Sequence, residues 1–186
     1  IISSKINCIN TGDTCVSIKT IQKVPALIDP RKSQFSNDFI VSIFLNVSWD
    51  SSILGIETYK GTVIEMITKI ADTLFEIEDL KIIVRQHPIE RDREMNPEDN
   101  YELLDKNLKI KYGDRFKFIK ATDYVNSYDL IQSSSAVIVN TSTIGLEAAI
   151  LGKPVFTLSK CYYHNLGTIV YLSKMIRSLN GNKVLM

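Results

Sequence analysis

The chain reads as an α/β protein, a Rossmann-like parallel sheet with helices on both faces. Three observations predict it. From Phe39 onward, apolar runs of strand length alternate with amphipathic helical patterns. The connections between them are short, and successive parallel strands need the helical crossovers that those patterns supply. Polar residues bunch directly after the strand-like runs, where open parallel sheets bind ligands.

Residues 1–38 are polar, broken by Pro25 and Pro30 and only weakly periodic, and read as an N-terminal arm or interdomain segment. The domain proper spans 39–186 and opens with the β-rich run Phe-Ile-Val-Ser-Ile-Phe-Leu at 39–45. A helix is expected at about 61–78, with Val63, Ile64, Ile67, Ile70, Ala71 and Leu74 on one face. Lys81 to Arg85 reads as a strand, and the charge-mixed run from Glu90 to Glu94, with Glu98 and Asp99, as a solvated loop. A short helix at 99–106, a strand at 115–120, a helix at 125–133 and the strand 136–140 follow. The helix from Thr143 to Leu151 should stop at Gly152, which accepts the left-handed C′ conformation, and Pro154 cannot continue it. Residues 155–158 then form a strand, and 168–179 a closing helix.

Composition narrows the function. In 186 residues, 22 Lys and Arg face 21 Asp and Glu for a net charge of +1, so no long-range field favours nucleic acid or an anionic membrane. An anion must be bound locally. No apolar run approaches the roughly 18 residues of a membrane span, and no secretory signal opens the chain. The chain begins at Ile1 without an initiator Met, which suggests a piece excised from a longer protein. Cys8, Cys15 and Cys161 form no C-x-x-C pair and have no metal-ligand spacing, so each is expected to be a reduced, buried small residue.

The strand ends carry the site. They are followed by Asn46-Val47-Ser48-Trp49-Asp50-Ser51-Ser52, by Gln86-His87-Pro88, and by Asn140-Thr141-Ser142-Thr143-Ile144-Gly145-Leu146-Glu147. If Ser142 caps the next helix, backbone N–H groups around Thr143 to Gly145 form an anion site reinforced by the helix dipole. Gly145 would admit a ligand close to the backbone. Glu147 suits hydroxyl groups, so phosphate on the cap and ribose on the glutamate is the economical assignment. Pro88 holds His87 extended, so that it can donate to a phosphate oxygen. Asp50 is either a catalytic carboxylate or, before Ser51-Ser52, a turn residue. Trp49 suits a core or a stacking platform, and His164 reads as structural.

No G-x-G-x-x-G, G-x-x-x-x-G-K-[ST] or G-x-S-x-G occurs, which removes the main support for dehydrogenase, NTPase and hydrolase readings. No D-x-D occurs either, so no cofactor and no metal are expected, and any sugar transfer should be metal-independent.

Asn46-Val47-Ser48-Trp49-Asp50, His87-Pro88 and Thr141 to Ala148, running into Gly152-Lys153-Pro154-Val155, together resemble the capsule polysaccharide biosynthesis proteins. That family includes bacterial Kdo transferases with the GT-B glycosyltransferase fold, and the similarity spans about residues 39–167. The resemblance implies that residues 39–186 are the nucleotide-sugar-binding half of a GT-B enzyme whose N-terminal domain lies outside this chain. It implies a CMP-activated acid sugar such as CMP-Kdo as donor, a glycan or glycolipid acceptor, and no nucleic-acid partner. His87, Pro88, Thr141, Ser142, Thr143 and Gly145 would hold the phosphate, Glu147 the ribose, and the backbone at Lys120, Ala121 and Thr122 the base; His87 and Asp50 are the catalytic assignments. A cytoplasmic protein is expected, with attachment of the parent to the inner membrane left open. The sequence departs from the family in Ser159-Lys160-Cys161-Tyr162-Tyr163, where a glycine is expected near Ser159. A CMP-sialic acid domain of sialyltransferase type, a nucleotide-sugar 2-epimerase, and a non-catalytic binding module of this fold are the alternatives.

Overall fold

Six strands, all parallel, make one sheet in the spatial order β3-β2-β1-β4-β5-β6 in the computed structural model, which describes residues 39–47, 61–92, 101–167 and 169–172. The arm at 1–38, Cys8, Cys15 and the segment Ser48-Trp49-Asp50-Ser51-Ser52 lie outside the described residues.

β1 (Phe39–Phe44) is almost all β-branched or aromatic, and every residue after Phe39 is buried, as a central parallel strand covered on both faces requires. α1 (Val63–Leu74) opens with a capping box: Thr62 Oγ1 accepts the Glu65 N–H at 3.1 Å, and the Glu65 carboxylate accepts the Thr62 N–H at 3.0 Å. Met66, Ile67, Ile70 and Ala71 form its buried stripe. The chain then turns through Asp79 at φ 59° into β2 (Leu80–Arg85), a 3-10 turn (Pro88–Asp92) and α2 (Tyr101–Tyr112). α2 runs beyond the expected end at 106 because Leu108 also packs inward, and Lys111 and the Tyr112 hydroxyl reach Asp72 on α1.

β3 (Phe116–Ile119) leads to α3 (Ser127–Ser133), whose first turn is capped by the Asn126 side chain accepting the Tyr128 N–H at 2.8 Å. β4 (Ala136–Val139) and α4 (Ile144–Ile150) follow, and Gly152 takes the expected left-handed conformation at φ 79°. Lys153 reaches back across the last turn of α3, donating to the carbonyls of Gln132 at 2.7 Å and Ser134 at 2.8 Å, where a cation suits the helix C-terminus.

β5 (Val155–Thr157) is joined by β6 (Ile169–Tyr171), and this corrects the expected closing helix. Ile169, Val170 and Tyr171 pair with Val155, Phe156 and Thr157, so the open edge of β5 wins over a weak helical pattern in a β-branched and aromatic triplet. Residues 173–179 of that expectation lie outside the described residues.

Strand alternation divides the core in two. Val41, Ile43, Ile82, Val84, Phe116, Phe118 and Ile138 pack against α1 and α2. Ile40, Phe44, Ile83, Ile119, Val137 and Val139 pack with Leu130, Ile131 and Ala148 of α3 and α4. Ile67, Ile70 and Ile82 are fully buried, each worth roughly 1.5–3 kcal/mol relative to exposure.

Candidate functional site

In an all-parallel sheet every strand ends on the same edge, so the segments after Leu45, Arg85, Lys120, Asn140 and Leu158 converge there, as the sequence predicts. β1 pairs with β2 on one side and with β4 on the other, so the connections part between β1 and β4 and open a crevice. Asn46 and Thr141 meet at its floor: Asn46 Nδ2 donates to Thr141 Oγ1 at 2.7 Å, and the Thr141 N–H donates to Asn46 Oδ1 at 3.3 Å. Beside them the Ser159 hydroxyl donates to Asn140 Oδ1 at 2.6 Å, so the segment after β5 is tied to the segment after β4. His87 follows β2 and Thr141 follows β4, two strand spacings apart, or about 10 Å at roughly 4.8 Å per strand.

His87 is half-buried, and its Nδ1 accepts the Ile89 N–H at 3.2 Å. A neutral ring then carries its proton on Nε2, as a donor. Pro88 is exposed and begins the 3-10 turn.

Two expectations about α4 are corrected. Its N-cap is Thr143, not Ser142, and no side chain caps it, because Thr143 already has helical angles (φ −59°, ψ −23°) instead of the extended ones from which a cap side chain reaches the first turn. The Gly145 N–H donates to the Ser142 carbonyl at 3.1 Å, so it is spent within the turn. Gly145 also makes room for protein, not for ligand. A Cβ there would lie 2.7 Å from the Tyr163 hydroxyl and 2.8 Å from Val139 Cγ2. Tyr163, buried beside Cys161, donates its hydroxyl to the Ser142 carbonyl and so pins the turn before α4. Burial and the neighbouring Cys161 push its phenol well above the ordinary range.

Glu147 is half-buried on α4 and accepts a hydrogen bond from Tyr128 on α3. Burial, and then this bond, push the Tyr128 phenol up to about 12. The backbone expected to meet a base is largely engaged internally. Lys120 N–H donates to Asp123 Oδ2 at 2.8 Å, Ala121 N–H to Gln86 Oε1 at 2.9 Å, and the Lys120 carbonyl accepts from Arg85. Thr122 is exposed at the tip. The Lys120 ammonium pairs with Glu102 at 2.8 Å, which raises its pKa.

Glu90 departs from the reading of its run as a solvated loop, whereas Arg91 is exposed and Arg93, Glu94, Glu98 and Asp99 lie outside the described residues. Glu90 is 4% exposed and accepts from Gln86 Nε2 at 2.9 Å, because the 3-10 turn folds it back under β2. His164 bonds through Nδ1 to the Cys161 carbonyl, and Cys161 is a buried free thiol, both as expected. Asp50 and Trp49 lie outside the described residues. Sequence reasoning missed Arg85, Tyr128 and Tyr163; only Arg85, a cation closing an apolar strand, carried a signal.

The strand order and crossovers define a Rossmann-like α/β domain of the type that forms one half of a GT-B fold. The chain belongs to the capsule polysaccharide biosynthesis protein family, whose profile matches residues 19–175. Similar solved structures include two of KpsC from Thermosulfurimonas dismutans. Its β-Kdo 2,7-transferase superposes with a TM-score of 0.54 at 23% identity, covering 81% of this chain and 47% of that one. Its β-Kdo 2,4-transferase gives a TM-score of 0.50 at 17% identity, covering 76% and 40%. The Neisseria meningitidis UDP-GlcNAc 2-epimerase bound to UDP-GlcNAc gives 0.53 at 14%, covering 78% and 34%. The chain spans less than half the length of each. No curated protein sequence matches it.

Proposed function

We propose that the chain is the nucleotide-binding half of a glycosyltransferase that builds bacterial capsule or surface polysaccharide, with a CMP-activated acid sugar such as CMP-Kdo as donor. The observation that carries this reading is the convergence of His87, the Asn46–Thr141 pair and the start of α4 around the β1/β4 crevice, in a chain of the capsule family. As the donor's glycosidic bond breaks, charge grows on the leaving phosphate. An Nε2–H of His87 and the N–H groups of Ser142 and Thr143 are the donors that stabilise it, and Glu147, steadied by Tyr128, holds the ribose. Metal independence belongs to the proposal. The sequence has no D-x-D, and no group of three or more His, Cys, Asp or Glu suited to a metal occurs among the described residues. The acceptor, a glycan or glycolipid, would be held by a second domain, in a cytoplasmic enzyme.

The Kdo transferases among the similar structures support the acid-sugar donor. The epimerase bound to UDP-GlcNAc favours a second reading, a uridine nucleotide in the same crevice. Calorimetric titration with CMP, CDP, UMP and UDP, with and without EDTA, tests both. Cytidine preference unaffected by EDTA is expected; uridine preference replaces the donor, and a strict magnesium requirement overturns the mechanism.

A further inference from the structure

Arg85 closes β2 on the face that carries α3 and α4, and its side chain is 2% exposed. Removing a guanidinium from water is costly unless its donors are met. Its hydrogen-bond partners are backbone carbonyls: Lys120 through Nη1, and Asp123 at 3.5 Å and Val125 at 3.3 Å through Nη2. Nε has no partner among the described residues, and burial lowers the pKa of the group. A leucine or methionine would serve the core at lower cost. What the arginine adds is a fixed course for the loop 120–125.

The residues that follow grip the same loop. Gln86 Oε1 accepts the Ala121 N–H at 2.9 Å while its Nε2 is held by Glu90, and Arg91 Nε donates to the Ala121 carbonyl at 3.4 Å. The Arg91 guanidinium also lies 5.1 Å from the centre of the Tyr124 ring, a cation–π contact. Segment 85–91 therefore presents His87 and shapes the loop after β3 as one hydrogen-bonded unit. The exposed side chains of that loop include Thr122 and Tyr124.

We propose that Arg85, assisted by Arg91, is a positioning residue for nucleobase recognition, holding the 120–125 loop so that Thr122 and Tyr124 meet the base while His87 meets the phosphate. The proposal rests on the nucleotide-sugar reading above and assigns the base end of that site.

Ligand-observed NMR on the whole protein, with CMP, cytidine and ribose 5-phosphate as probes, separates the two ends. Arg85→Met keeps bulk and removes the donors. If the loop then holds its competent course a tenth of the time, cytidine and CMP weaken about tenfold while ribose 5-phosphate stays within about twofold. Arg85→Lys, which restores one donor group, recovers part of the loss. Equal weakening of cytidine and ribose 5-phosphate, or unchanged cytidine binding, overturns the proposal. If Arg85→Met yields no folded protein, the surface variant Arg91→Ala must show the same selectivity. A wild-type protein that binds neither CMP nor UMP defeats the nucleotide reading itself; wild-type binding with unselective variants defeats only the positioning role.

Discussion

The Asn46 side chain clasps Thr141 by two hydrogen bonds, Nδ2 to Oγ1 at 2.7 Å and the Thr141 N–H to Oδ1 at 3.3 Å, across the point where the sheet's connections part. One residue follows β1 and the other follows β4, 95 positions apart in the chain. The clasp sets the floor of the crevice, and both of its members belong to polar segments that the sequence singles out.

Asn46→Leu removes both bonds and leaves a half-buried N–H and hydroxyl to seek water. Unfolding in urea should show a loss of about 1–3 kcal/mol. Nucleotide binding should weaken as well, because the backbone at Thr141 moves with its partner; a variant equal to wild type in both respects would mean that the clasp is incidental.

Gly145→Ala places a methyl 2.7 Å from the Tyr163 hydroxyl and 2.8 Å from Val139. The overpacking should cost about 1–3 kcal/mol. Tyr163→Phe alone loses the bond to the Ser142 carbonyl, yet in the double variant it also removes the closer obstacle. The two effects should therefore sum to less than their separate costs in a double-mutant cycle. Strict additivity would show that glycine is present for another reason.

Tyr128 gives a pH prediction. Its folded pKa, about 12, lies above the ordinary 10.0, so the folded state holds the phenolic proton more tightly. The stabilisation linked to that proton is complete below pH 10 and is lost as pH rises from 10 through about 12. Titration of ring-labelled tyrosine by NMR should place Tyr128 in that window. Glu147→Gln removes the charge and the ionic bond and should move it down; no movement would break the link between α3 and α4.

In the full-length enzyme, His87→Ala should lower kcat by roughly 10²-fold, as for a lost oxyanion donor. Glu147→Gln should mainly raise the donor KM, since ribose hydroxyls change little during transfer. Steady-state kinetics beside thermal melts checks both. Lower melting with normal kinetics in the folded fraction would make these two residues structural.

Local pattern determined much of this protein. Apolar strand runs alternating with helical stripes specify a two-faced parallel sheet, and such a sheet brings the residues after each strand to one edge, so His87, Asn46 and Thr141 could be placed together from their spacing. Gly152 was legible because helix termination is a local matter of backbone angles. Tertiary structure decided what periodicity does not encode. Only long-range pairing puts β1 between β2 and β4 and turns Ile169–Tyr171 into a strand on the free edge of β5. Gly145 reads as an opening for ligand until Tyr163, 18 positions away, fills the space, and Glu90 reads as solvated until Gln86 and the 3-10 turn enclose it. The physical reason is the same in each case. A side chain's own chemistry sets which contacts it can make, but the groups that reach it, and hence whether it serves the core or the crevice, depend on parts of the chain distant in sequence.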